Sequence, residues 1–309
     1  MAVVFDLGGT HLRCGIGSPD GIVSFPKKLR IRNFLNGLTP AEVSAGIVSE
    51  IEAYIAEAGS RVQSSEAIVV SFPGPIAKQR ALDAPTLFGK AVGELPDFAG
   101  ELRRRTGRSV RLLNDVSAAC WCLSQQTTVD RFLVVTVSSG IGSKIFDRQH
   151  PIGVLDDPPY GGEFGHYVVD PDPDALMCDC GGRGHLGGIA SGRGVERTAQ
   201  RKLGNPGLTN EADIGPAILR GDAWAVDVLR QCTEPLARTM LAVLLAAGLE
   251  KIFIIGGFAQ SLGVVYVNLL NELLVANSQY HVVADRIAKP AQVITKPRRS
   301  TVHLVRFGV

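Results

Sequence analysis

Ala2-Val3-Val4-Phe5-Asp6-Leu7-Gly8-Gly9-Thr10, with Arg13-Cys14-Gly15-Ile16 close behind, is the stretch whose pattern decides the fold. Ala2 to Phe5 is a short β-rich run and Arg13 to Ile16 resumes a strand pattern, so the two read as a tight hairpin with glycine at its tip. The same device returns at Arg131 to Val137, which runs into Ser138-Ser139-Gly140-Ile141-Gly142-Ser143 and then Lys144-Ile145-Phe146. A third β-rich run, Lys251 to Ile255, ends in Gly256-Gly257 and leads to a helical pattern over Ser261 to Val275. Glycine lets backbone N–H groups approach phosphate oxygens where a Cβ would stand in the way. Any one such site can equally be a plain hairpin turn. Three in order suggest three backbone approaches to one ligand. Neither a Walker lysine loop nor the spaced triple-glycine dinucleotide fingerprint occupies these positions.

Between the first two loops, helix and strand alternate: a helix over Ala41 to Ala58, a strand over Ala67 to Phe72, a helix near Asp97 to Thr106 and a strand over Val110 to Leu113. That alternation predicts an α/β fold with parallel strands. Asn114-Asp115 follows the last strand, and Val116 to Ser124 continues as a helix. Asp115 is either that helix's N-cap or a carboxylate at the strand end, where open α/β sheets bind ligands.

From Gly161 the chain reads Gly-Gly-Glu163-Phe-Gly-His166, and later Cys178-Asp-Cys180-Gly-Gly-Arg-Gly-His185. Two thiolates and two imidazoles can close a tetrahedral zinc site, the glycines allowing both sulfurs to face one ion. Two closely spaced free cysteines without metal are the alternative.

The whole chain fits this picture. Its 309 residues suit two packed domains, and 45% apolar with 20% charged residues suits a folded protein. A net charge of +2 offers no general polyanion surface, so nucleic acid is not expected as a partner. Six cysteines are too few for a disulfide scaffold and indicate a reducing, cytoplasmic setting. Asp6 interrupts any signal peptide, and Met240 to Leu249 is too short to span a bilayer, so it reads as a core helix. Glycine is the outlier: 35 residues, about 11% against a usual ~7%, and much of the excess lies in the loops above. Arg103, Arg104, Arg105, Arg108 and Arg111 read as a solvated face, and His11, Cys120, Cys122 and Trp224 receive no role.

These residues together resemble the ROK family (repressors, open reading frames and sugar kinases), near its bacterial glucokinase-like members, across nearly the whole length. The resemblance rests on Asp6-x-Gly8-Gly9-Thr10, Leu113-Asn114-Asp115, Ser139-Gly140-Ile141-Gly142, Gly162-Glu163-Phe164-Gly165-His166 with Cys178-x-Cys180-Gly181, and Gly256-Gly257. It implies a duplicated actin-like, ribonuclease-H-like ATPase fold, with a lobe of residues 1–115 and a lobe of residues 116–309 that carries the zinc segment 161–188, the two closing on an interlobe cleft. It further implies that Asp115 is the general base for phosphoryl transfer from ATP to a primary hydroxyl and that Asn114 holds neighbouring hydroxyls. Asp6 would place Mg²⁺ through water. Gly8, Gly9, Thr10, Ser139 and Gly140 would bind phosphates and Gly256-Gly257 the adenosine. Glu163 and His166 would contact the sugar, and His166, Cys178, Cys180 and His185 would hold structural Zn²⁺. A homodimer is the family expectation.

Four departures stand out. His185 replaces a third cysteine. Gly187 replaces a glutamate that contacts the anomeric side of the sugar in the family's kinases, which points to an acceptor altered there, such as a C7-cyclitol or other carbasugar. Ser138, Ser143 and Lys144 stand where glycines are common, and Val302 to Phe307 resembles the last strand without the helix that usually follows. A sugar-sensing repressor would need a DNA-binding module ahead of Asp6, for which there is no room, and an actin-like structural ATPase would not carry the zinc and acceptor signature.

Overall fold

A computed structural model describes residues 2–18, 23–63, 66–90, 93–150, 153–155, 158, 160–278 and 291–293. They form two compact units. The first runs through Thr127 and takes in described residues 158, 160 and 161. The second holds Thr128–Leu155 and the described residues from Gly162 on.

In the first unit, β1 (Ala2–Leu7) pairs antiparallel with β2 (His11–Gly17), with Leu7 opposite Leu12, so the chain turns on Gly8-Gly9-Thr10 as the sequence predicts. β2 pairs antiparallel with β3 (Val23–Arg30). The helix α1 (Pro40–Ala58) then crosses to β4 (Ala67–Phe72), which lies parallel to β1. Thr39 starts α1 with a reciprocal cap: its hydroxyl accepts from Glu42 N–H, while Glu42 Oε2 accepts from Thr39 N–H at 2.8 Å. Val43, Ile47, Ile51 and Tyr54 of α1 are buried in one cluster with Val3, Phe5, Ile68 and Val70. Each such side chain contributes about 1.5–3 kcal/mol by leaving water.

After a short hairpin, β5 (Ile76–Ala77) and β6 (Arg80–Ala81), come α2 (Pro85–Phe88), α3 (Phe98–Thr106) and β7 (Val110–Asn114), which is parallel to β4. The sheet order is β3-β2-β1-β4-β7. α4 (Asp115–Ser124) follows without a break and packs on β7 and β4. The division expected after residue 115 therefore falls early: α4 belongs with the first unit.

The second unit repeats the scheme. β8 (Arg131–Val137) and β9 (Ile141–Asp147) form an antiparallel hairpin, and β10 (Lys251–Ile255) lies parallel to β8 with β11 (Ala291–Val293) beyond it. The order β9-β8-β10-β11 matches β2-β1-β4-β7. Among the described residues, one antiparallel bridge, Phe146↔Val154, stands where the first unit has the whole of β3. The crossover from β9 to β10 holds α5 (Leu186–Ala190), α6 (Gly192–Leu203), α7 (Gly215–Arg220) and α8 (Ala223–Ala247). Met240 and Leu236 of α8 are buried with Leu133, Val135, Ile252 and Ile254 of the sheet, so one face of the apolar run from Met240 is core, while Leu245 on the other face is exposed.

The helix expected over 261–275 is two: α9 (Gly257–Leu262) and α10 (Val264–Asn277), broken where Gly263 takes φ 55°. The strand expected over 302–307 lies outside the described residues.

Candidate functional site

Because β1, β4 and β7 are parallel, their carboxyl ends share one edge of the sheet, with Asp6 beside Ser71, Ser71 beside Leu113 and Phe72 beside Asn114. Asp6 is 8% exposed. Arg13 Nη1, from the opposing position on β2, donates to its Oδ2 at 2.7 Å, and Ser71 Oγ donates to its Oδ1 at 3.3 Å. The carboxylate is thus fixed in orientation, and each oxygen retains acceptor capacity for a hydrated cation.

The turn beyond is also braced. Gly8 N–H donates to His11 C=O at 2.9 Å, Asn33 Nδ2 donates to Gly9 C=O at 2.6 Å, and Ile31 N–H donates to Thr10 C=O at 3.0 Å. A Cβ on Gly9 would stand 3.2 Å from Thr86, so glycine here admits α2 against the turn. Gly8 uses its N–H within the hairpin. Among the described residues, the N–H groups of Gly9 and Thr10 make no hydrogen bond and remain for an anion.

The sequence leaves Asp115 open as the cap of α4, but the structure gives that task to Asn114. Asn114 Oδ1 accepts from Val116 N–H at 3.0 Å and Ser117 N–H at 3.2 Å, while its Nδ2 donates to Gly74 C=O at 2.9 Å. Asn114 is 7% exposed and its oxygen is fully engaged, so the side chain offers a ligand at most one amide hydrogen. Asp115 sits in the first turn, half-buried, with Oδ1 accepting from Val116 N–H at 2.9 Å.

In the second unit the β8–β9 turn gathers the other sequence candidates. Ser138 N–H donates to Gly140 C=O at 3.0 Å, and Ser138 C=O accepts from Gly192 N–H at 2.8 Å, which ties the turn holding Ser139 and Gly140 to the start of α6. Gly256 has φ 101° and lies against Val137, while Gly257 opens α9 near Ser138. Ser143 Oγ donates to Gly162 C=O at 2.7 Å. A Cβ on Gly162 would fall 1.9 Å from Ser143 O, so this serine belongs to the anchoring of the Gly162–His166 segment. Gly187 faces the same segment: its Cβ would stand 3.1 Å from Gly165 O and 3.8 Å from Ile141 N. Glu163 Oε2 lies 3.9 Å from His166 Nε2.

His166, Cys178, Cys180 and His185 converge, their ligand atoms all within 4.8 Å of one another and Cys180 Sγ 3.2 Å from His185 Nδ1. Ligands of tetrahedral zinc sit about 3.4–3.8 Å apart, so two thiols and two imidazoles at this spacing fit that ion. Burial lowers the pKa of His185, and the neighbouring His166 lowers it further, favouring the neutral imidazole that ligates metal. The cysteine turn is pinned from outside: Asp179 pairs with Arg193 and Arg197 of α6, and Arg197 Nη1 also donates to Met177 C=O at 2.8 Å. Burial works to raise Asp179, but the hydrogen bonds from Arg197 and Arg193 outweigh it and hold the carboxyl below the usual aspartate range. Single-sequence reading passes over Arg13, Ser71, Asn33, Asp179 and these arginines, because their partners are distant along the chain.

A duplicated α/β sheet with a glycine turn in each half is the plan of the actin-like ATPase fold, which the structure shares with solved ROK-family kinases. The chain belongs to the ROK family, whose model matches residues 2–294. It is 37% identical over 299 residues to a C(7)-cyclitol 7-kinase from Streptomyces hygroscopicus subsp. jinggangensis, covering 88% of this chain and 83% of that one. It is 28% identical over 287 residues to a 2-epi-5-epi-valiolone 7-kinase from Actinoplanes sp., covering 84% and 78%. The structure superposes on a ROK hexokinase from Thermus thermophilus with a TM-score of 0.74 at 23% identity, covering 98% of this chain and 95% of that one. Among the described residues, no helix is long and apolar enough to cross a membrane.

Proposed function

We propose that this ROK-family kinase transfers the γ-phosphate of ATP to the exocyclic primary hydroxyl of a C7-cyclitol. Gly187 carries the reading. It packs beside the Gly162–His166 segment, 3.1 Å from Gly165 O at its Cβ position, and it brings no acceptor for an anomeric hydroxyl. A carbocyclic acceptor does not need one. The 37% identity to a C(7)-cyclitol 7-kinase supports the same acceptor class.

Asp115 is the general base in this reading. It accepts the proton of the attacking hydroxyl as that oxygen approaches the γ-phosphorus in line. Asn114 acts chiefly by fixing the start of α4, and so the position of Asp115, rather than as a principal sugar ligand. Gly9 and Thr10 N–H groups, with the turn at Ser139 and Gly140, receive phosphate oxygens, and Gly256-Gly257 borders the nucleoside. Asp6, oriented by Arg13 and Ser71, holds Mg²⁺ through water; when bound, that ion offsets phosphate charge. Glu163 and His166 receive acceptor hydroxyls. Zn²⁺ on His166, Cys178, Cys180 and His185 fixes the His166 ring. A cytoplasmic homodimer completes the proposal.

The test is an acceptor panel with ATP. A C7-cyclitol bearing a hydroxymethyl group is expected to exceed glucose in kcat/KM by at least about tenfold, the scale of a modest acceptor discrimination. Equal or better turnover of glucose overturns the cyclitol assignment.

A further inference from the structure

The hairpin of β5 and β6 turns on two residues, Lys78 and Gln79, and both have positive φ, 48° and 64°. Two-residue hairpin loops of this kind favour Asn and Gly, because a longer side chain in the left-handed region costs about 1–2 kcal/mol. Two such residues in succession are a strained choice. Backbone strain of this sort persists where the surroundings over-determine it.

The surroundings at Gln79 are specific. Gln79 Oε1 accepts from Leu112 N–H at 2.8 Å, and Gln79 Nε2 donates to Leu112 C=O at 3.4 Å. Leu112 lies on β7, the edge strand of its sheet, so the side-chain amide supplies the two bonds that a neighbouring strand would make. Two residues further along β7, Asn114 Nδ2 holds Gly74 C=O, in the same excursion between β4 and α2. The segment therefore grips the end of β7 twice, immediately before Asp115. Arg103 Nη2 makes a third contact to this strand, at Val110 C=O, 3.3 Å away.

We propose that Gln79 is a positioning residue for phosphoryl transfer: the left-handed turn presents its amide to Leu112, which fixes the register of the strand end that carries Asp115. The proposal rests on Asp115 being the base. Its rival is simple protection of an exposed strand edge, which affects solubility and stability and leaves the chemical step alone.

Gln79→Gly separates the two, since glycine relieves the positive φ while deleting the amide. If Gln79 positions Asp115, the variant keeps or gains thermal stability, loses between about 10-fold and 100-fold in kcat, and keeps its KM for ATP within about twofold. Gln79→Glu retains the oxygen that accepts from Leu112 and is expected to hold more activity than the glycine variant. Wild-type kcat in Gln79→Gly overturns the proposal, as does a fall in kcat that Gln79→Glu shares in full. Hydrogen exchange at the Leu112 amide gives a second readout, since protection unchanged in Gln79→Gly also overturns it. Asp115→Asn serves as the control. Undiminished transfer there removes the base assignment itself, whereas loss in Asp115→Asn with full activity in Gln79→Gly removes the positioning role alone.

Discussion

The two units carry the same strand plan and equip it differently. In the first, the sheet is complete from β3 to β7, and its functional end is built from side chains bonded across neighbouring strands: Arg13 and Ser71 on Asp6, Asn114 on α4 and Gly74, Gln79 on Leu112. In the second, a single described bridge replaces the outer strand, and the corresponding end is built from close backbone packing of glycines and from one cysteine–histidine cluster. The contrast shows how one duplicated scaffold can be made rigid by two means. A sheet edge can be locked by hydrogen bonds in sequence-distant pairs, or a long insertion can be tied by ligands that lie close together in the chain.

Metal removal strains this contrast most. The chain has two tryptophans, Trp121 in α4 of the first unit and Trp224 in α8 of the second, so each unit has its own fluorescent reporter. A zinc chelator should destabilise the unit reported by Trp224 by at least about 3 kcal/mol, since metal bound only by the folded state adds its binding free energy to stability. The unit reported by Trp121, read in a Trp224→Phe variant, should move far less. Equal shifts at the two reporters, or none at either, would erase the distinction between the units.

The helix caps provide a smaller test. Asn114 caps α4 in the first unit, and the fully buried Ser191 caps α6 in the second through a 3.2 Å bond from Gly194 N–H. Alanine at either position should cost about 1–2 kcal/mol by denaturant unfolding. Only Asn114→Ala should also depress kcat beyond what the lost stability explains, because only that cap adjoins Asp115. Matching kinetics for the two variants would contradict the functional asymmetry.

The smallest effect concerns charge. On the β2–β3 ribbon His11 faces Arg30 and Arg13 faces Lys28, whereas the second unit has at that place, among the described residues, the uncharged Phe146↔Val154 bridge. Desolvation and then Lys28, Arg13 and Arg30 lower His11 below its ordinary value of 6.5. The unfolded chain therefore binds more protons than the folded one near that pH, so the His11 imidazole erodes stability as pH falls through about 6.5. His11→Gln should show a slightly smaller drop in Tm between pH 7.5 and 5.5 than the parent. An equal or larger drop would discount the ribbon's field.

Much of the strand plan was legible in the chain because alternation and glycine turns are local signals; Ala67 to Phe72 is a strand with the expected ends. The cysteine–histidine cluster was legible for the same reason, its four members falling within one short segment. What escaped depends on distant partners. The break at Gly263 hides inside a continuous apolar pattern, since a single glycine only weakens a helix unless packing calls for a positive φ. The capping of α4 by Asn114 rather than Asp115 hides because both residue types cap helices well, and the Asn114 amide is further held by Gly74 C=O, forty residues away. Gln79 carries no sequence signal at all, since nothing in Ala-Lys-Gln-Arg announces a left-handed turn.

The compactness of that cluster also bears on the order in which the protein takes shape during synthesis. His166, Cys178, Cys180 and His185 are all made before Lys251, the first residue of β10, which must pair with β8 to complete the second sheet. Short loops close at little entropic cost and quickly, whereas the β8–β10 pairing waits for more than a hundred intervening residues. An ion captured by the emerging segment would give α5 and α6 a fixed point on which to assemble while the sheet they cover is still incomplete.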